Sequence, residues 1–147
     1  RVILDALIKY DNLYVVVGES ILGDKMEYKH PRIRVIREYP NSRYYRSFDF
    51  GIIAGGYNSY HEAINFSLPA ICLPNMETGR DDQLSRARTA EESGCMIVVE
   101  KVNRESIEEA LAIMMNPEER EKMIDASSDL VVRNGAIEVA EIISKDK

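Results

Sequence analysis

At 147 residues the chain fits one domain, long enough to bury an ordinary core without disulfides or metals. Hydrophobic residues make up 45% and charged residues 30%, as in a soluble globule, and no apolar run approaches the ~18 residues of a membrane span. Nineteen basic against twenty-five acidic residues leave a net charge of −6, with no Lys/Arg-rich tract to follow a nucleic acid backbone, which argues against nucleic acid as a partner.

Val2, Ile3, Ala6, Leu7 and Tyr10 form a helical stripe that Asp11-Asn12 breaks. Leu13 to Val17 is a continuous apolar run ending at Gly18, the pattern of a strand buried on both faces. A helix feeding a parallel-type strand implies a βαβ unit whose opening strand lies upstream. The chain also starts at Arg1 without an initiator Met or signal-type segment, and so reads as a fragment. Glu19 to Arg32 is polar and reads as a loop, and Ile33 to Ile36 as a short strand. Pro40 then turns the chain, and Asn41 or Ser42 is suited to cap one or two helical turns.

Next comes the most informative stretch, Asp49 to Glu62. The apolar run Phe50 to Ala54 stops at Gly55-Gly56 and gives way to helical spacing over Asn58 to Phe66. A strand, a glycine turn and a helix start let backbone N–H groups approach a ligand at the positive end of a helix dipole, a natural place for phosphate. The same residues have a simpler reading: Ser59-Tyr-His-Glu62 is a capping box that needs no ligand.

Ala70 to Leu73 is a further buried run between Pro69 and Pro74. A loop with Gly79 leads into an amphipathic segment, Asp81 to Glu92, closed by Ser93-Gly94. Cys95 to Val99 is the last strand. Arg104 to Met115 is helical, Asn116-Pro117-Glu-Glu119 opens a second helix with a cap and Pro at the first position, and Asn134-Gly135 divides it from a final helix over Ala136 to Ser144. Cys72 and Cys95 lie in apolar runs without metal-type or redox spacing, which suits buried thiols in a reducing cytoplasm. About five strands alternating with helices argue for an α/β fold, a doubly wound parallel sheet with helices on both faces and a helical C-terminus. Ligands bind such sheets beyond the carboxyl ends of the strands. The Pro40 turn, the Gly55-Gly56 turn and the Pro74 to Asp82 loop can therefore border one cleft.

Three motifs in that order give the chain a resemblance to the carboxyl-terminal, donor-binding half of GT-B glycosyltransferases, in the group of the peptidoglycan N-acetylglucosaminyltransferase and the UDP-glycosyltransferases. Asp49 to Glu62 resembles the family's Asp-(apolar)-Gly-Gly-x-x-(Ser/Thr)-x-x-Glu element. The resemblance implies that Gly55, Gly56, Asn58 and Ser59 hold the donor's diphosphate and that Glu62 accepts from the ribose hydroxyls. A carboxylate accepting from two vicinal hydroxyls is chemically sound. Leu68-Pro-Ala-Ile-Cys-Leu-Pro74 is similar to the family's Gly-x-Pro-(apolar)-Pro segment, with Ser67-Leu68 replacing the glycine. Asp81-Asp-Gln-Leu-Ser-Arg-Ala87 resembles Asp/His-Gln-x-x-Asn-Ala, which places Asp82 and Gln83 on the donor sugar. Arg86 stands where Asn is usual, suited either to a donor bearing a carboxylate or to pairing with Asp82. The Pro40 turn matches the segment that cups the nucleobase, with Tyr39 able to stack and Asn41 to meet the base or ribose. Ala54 occupies the position of a phosphate-contacting histidine in one branch of the family.

The resemblance implies a metal-independent transfer of sugar from a nucleotide sugar, a UDP-sugar, to an acceptor hydroxyl. Residues 1–147 would be the donor domain, inactive alone, with an N-terminal acceptor-binding domain as partner. The nucleotide sugar is substrate, so no cofactor or metal is expected. Without a membrane span, any peripheral membrane contact falls to the missing half. Two alternatives fit the same residues: a non-catalytic nucleotide-sugar-binding module or partner-dependent subunit, and a domain like the nucleotide-sugar 2-epimerases. His61, on the helix after the glycine turn, is expected to face solvent or to cap rather than to catalyse.

Overall fold

The computed structural model describes residues 1–19, 28–77, 81–130 and 136–145. These contain five strands, β1 (Val15–Gly18), β2 (Ile33–Ile36), β3 (Gly51–Ala54), β4 (Ala70–Leu73) and β5 (Met96–Val98). β1 pairs with β2, and β3, β4 and β5 form a second sheet in that order, every pairing parallel. Six α-helices accompany them: α1 (Val2–Leu7), α2 (Tyr57–Asn65), α3 (Gln83–Glu92), α4 (Arg104–Met114), α5 (Pro117–Asp129) and α6 (Ala136–Lys145). A 3₁₀ segment, Asn41–Ser47, links β2 to β3. This is the expected parallel α/β architecture, with helices on both sides.

The side-chain alternation of β4 shows how the layers form. Ile71 and Cys72 are adjacent and fully buried, but on opposite faces. Ile71 joins Leu4, Leu7, Ile107, Leu111 and Met114, the core under α1 and α4. Cys72 joins Tyr60, Ala63, Ile64, Ala87 and Ala90, the core under α2 and α3. Both cysteines are free and buried, and burial pushes the Cys72 thiol up to about 11, as befits structural thiols.

β1 departs from expectation. Val15 and Val17 pack into the α1/α4 core, but Val16 is 40% and Tyr14 82% exposed, so the strand is buried on one face only. The α2/α3 core draws no residue from β1 or β2; that layer covers the three-stranded sheet alone. The predicted Glu19 to Arg32 loop falls mostly on 20–27, outside the described residues, as do Gly79 and the Asn134-Gly135 divide. Among the described residues no helix is long and apolar enough to cross a membrane.

Helix ends follow local chemistry. Asn103 caps α4 through a capping box with Ser106, and Asn116 caps α5 ahead of Pro117. α3 ends with Gly94 at φ +79°, where the Gly94 amide donates to the Glu91 carbonyl and the Cys95 amide to the Ala90 carbonyl, a Schellman motif. α2 ends in the same two-bond pattern, Ser67 to Ile64 and Leu68 to Ala63, but its left-handed residue is Ser67 at φ +49°. The substitution noted in the second motif is thus a serine in a conformation that favours glycine. Left-handed backbone costs a non-glycine ~1–2 kcal/mol, against ~0.5–1 kcal/mol for the extra unfolded-state freedom of glycine. Ser67→Gly should therefore raise stability by up to about 1 kcal/mol; an unchanged or lower denaturant midpoint would contradict this account of the helix end.

Candidate functional site

The three loops expected to meet do so at the carboxyl ends of the strands. β3 continues its ladder one bond further, the Gly55 amide donating to the Leu73 carbonyl at 3.3 Å, so the glycine turn and the start of the β4–α3 loop leave the sheet together. A Cβ on Gly55 would come within 3.1 Å of both Pro74 Cα and Gln83 Cβ, whereas one on Gly56 would meet nothing within 4 Å. The two glycines therefore do different work. Gly55 lets the loops pack, and Gly56 keeps open the space before α2.

α2 begins one residue earlier than its spacing suggested, with Gly56, which has no side chain to cap with, as N-cap at φ −62°, ψ 147°, and among the described residues no side chain bonds the first-turn amides. The capping-box reading of Ser59 and Glu62 is not what forms: Ser59 already lies inside the first turn, too late to cap it. α3, α4 and α5 each carry a side-chain cap. α2 instead presents its first-turn N–H groups and positive dipole end toward the opening at Gly56. Asn58 is exposed and Ser59 half-buried at that end.

Glu62, in the second turn of α2, is half-buried and accepts from the Ser42 hydroxyl at 3.0 Å. Ser42 was expected to cap the turns after Pro40, but no side chain caps the 3₁₀ segment. Its hydroxyl crosses to α2 instead. Burial, then the nearby Glu62 carboxylate, pushes the Tyr45 phenol up. Asn41, the other expected cap, packs under β1. Its Nδ2 lies 2.6 Å from where a Gly18 Cβ would stand, and its Oδ1 is buried without a hydrogen-bond partner. Tyr39 is 44% exposed beside the Tyr39-Pro40 cis peptide.

The third motif is occupied with holding the loops. Asp82 caps α3, its Oδ1 accepting from the Ser85 amide at 2.9 Å, and Gln83 Oε1 accepts from the Asn75 amide at 2.9 Å. Arg86 pairs with Asp81, not with Asp82, and its Nη1 donates to the Gly55 carbonyl at 2.8 Å. The guanidinium lies 5.5 Å from the Tyr57 ring centre and 5.9 Å from that of Tyr60. The hydrogen bond from Arg86 holds the Asp81 carboxyl below its ordinary value. Sequence reasoning missed this clamp because nothing local links Arg86 to a carbonyl thirty-one residues away. His61 is exposed and tilts against the Tyr57 ring at 4.2 Å.

A shallow cleft of about 580 Å³ opens at the opposite, amino ends of β3 and β4, between Phe48, Asp49, Pro69 and Arg120; it is lined by the first residues of two motifs, Asp49 and Leu68-Pro69, and by none of the residues expected to hold the donor. Among the described residues no group of three or more His, Cys, Asp or Glu is placed to hold a metal ion.

Residues 13–144 match the family model described as the glycosyltransferase family 28 C-terminal domain. The chain belongs to that family. Among solved structures, the family 28 domain resembles the glycotransferase of kitacinnamycin, with TM-score 0.74 and 15% identity over 98% of this chain and 38% of that one. It resembles spinosyn forosaminyltransferase SpnP at TM-score 0.68 and 16% identity, over 96% of this chain and 36% of that one. For Acinetobacter baumannii MurG the values are 0.65 and 19%, over 77% and 33%. The domain thus spans between 33% and 38% of these structures, and at such identities the likeness shows the fold. The resemblance to the carboxyl-terminal half of GT-B glycosyltransferases holds. No curated protein matches the chain significantly in sequence.

The clamp carries a pH signature. A carboxyl whose folded pKa lies below its unfolded value adds stability above the unfolded value and loses it as pH falls through the folded one. The gap in melting temperature between wild type and Asp81→Asn should therefore stay constant over about pH 5–8 and close below about pH 4. A gap that widens on acidification would rule out the ionised pair as the stabilising form.

Proposed function

We propose that this domain binds the nucleotide of a UDP-sugar donor and, with an acceptor-binding half outside this chain, transfers the sugar to an acceptor hydroxyl. The observation that carries the proposal is the uncapped start of α2, open at Gly56 and followed within two turns by the half-buried Glu62. The diphosphate is assigned to the amides after Gly56 with Asn58 and Ser59, the ribose to Glu62, and the nucleobase to the Pro40 turn with Tyr39 and Asn41. The donor sugar is assigned to the edge of the β4–α3 loop at Asp82 and at Gln83, which lies against Gly55, while Arg86 fixes the turn.

The chemistry follows from charge. As the glycosidic bond breaks, the leaving diphosphate gains negative charge, and preoriented amides at a helix N-terminus stabilise it without reorganising. In this reading the reaction needs no metal, the general base and the acceptor come from the other half, and this domain alone is inactive. Two free buried thiols support a cytoplasmic setting.

Two substitutions separate the parts. Gly56 has backbone angles open to any residue and free space at its Cβ, so Gly56→Val should fold with a near-normal melting temperature yet lose most of its UDP affinity. Retained binding would place the diphosphate elsewhere. Glu62→Gln should weaken UDP binding by roughly 1–3 kcal/mol, the scale of a hydrogen bond to a charged group, in titration calorimetry on the full-length protein; equal affinities would remove Glu62 from the ribose.

A further inference from the structure

We propose that Ser42 is a positioning residue that aims the Glu62 carboxylate at the ribose, an inference that rests on the nucleotide reading above. Ser42 is 7% exposed, and its hydroxyl reaches Glu62 Oε1 at 3.0 Å from an element twenty residues earlier in the chain. A buried hydroxyl needs a partner, and Ser42 finds none within its own 3₁₀ segment, where no side-chain cap forms.

The bond suits a ligand-binding carboxylate better than a tether. The Glu62 carboxylate has no ion-pair partner and no other hydrogen bond among the described residues. A glutamate free to rotate loses side-chain entropy when it is fixed, and a ligand would otherwise bear that loss. A single neutral donor on one oxygen removes most of it while leaving Oε2 and its lone pairs for further donors. Two vicinal hydroxyls are such donors. A cation in the place of Ser42 would instead consume the charge that a hydroxyl needs to find.

Calorimetry on the full-length protein with UDP and with 2′,3′-dideoxyuridine diphosphate tests this. Ser42→Ala and the isosteric, weakly donating Ser42→Cys should each lower UDP affinity about tenfold, the scale of one hydrogen bond to a charged group, with little change for the dideoxy nucleotide. Ser42→Thr, which keeps the hydroxyl, should restore most of the loss. Equal losses for both nucleotides, or no loss for either, would make the contact a mere tether and overturn the proposal. Glu62→Gln separates the two levels. If it erases the preference for UDP while the Ser42 variants do not, the positioning role fails and the ribose reading stands; if it leaves the preference intact, both fail.

Discussion

The guanidinium of Arg86 is the group on which the geometry of the candidate site depends. It reaches from α3 to the carbonyl of Gly55 and the carboxylate of Asp81, and so ties the turn after β3 to the loop after β4. A planar fork can serve a carbonyl and a carboxylate together while its face rests on Tyr57 and Tyr60, which a lysine ammonium could not do. With the turn pinned, Gly55 is held against Pro74 and Gln83, and the start of α2 points in one direction. Arg86 is thus a strut between the two loops.

A division of labour follows. The polar groups of the third motif that would be drawn toward a sugar are engaged with backbone: Asp82 with Ser85, Gln83 with Asn75. Among the described residues no side chain caps the groups after Gly56. The side-chain bonds that tie backbone together thus lie on the β4–α3 side, and among the described residues none caps the start of α2 on the β3–α2 side.

The parallel sheet explains why these elements share one edge. Within each sheet the strands run the same way, so the loops after β1 and β2 leave one end of theirs and the loops after β3 and β4 one end of the other. Contacts of high sequence separation then close the edge: Asn41 under Gly18, Ser42 on Glu62, Arg86 on Gly55. The amino edge holds the shallow cleft instead.

Hydrophobic runs and punctuation by Gly and Pro sufficed to place all five strands and the order of the helices, because strand burial and helix termination are local consequences of side-chain polarity and backbone freedom. The family motifs were legible for the same reason: they are short and in order. Which groups are left unbonded was not. Ser59 and Glu62 spell a capping box, yet the helix starts at Tyr57 and Glu62 is taken by Ser42. Arg86 had two plausible partners by position and took neither Asp82 nor a free role, but Asp81 and a carbonyl on another element. β1 is apolar throughout, yet one face lies open because only the three-stranded sheet is covered by α2 and α3. Sequence fixes what each residue is able to bond. Only the folded chain decides, by bringing distant elements within about 3 Å, which of those bonds is made and which group is left for a ligand.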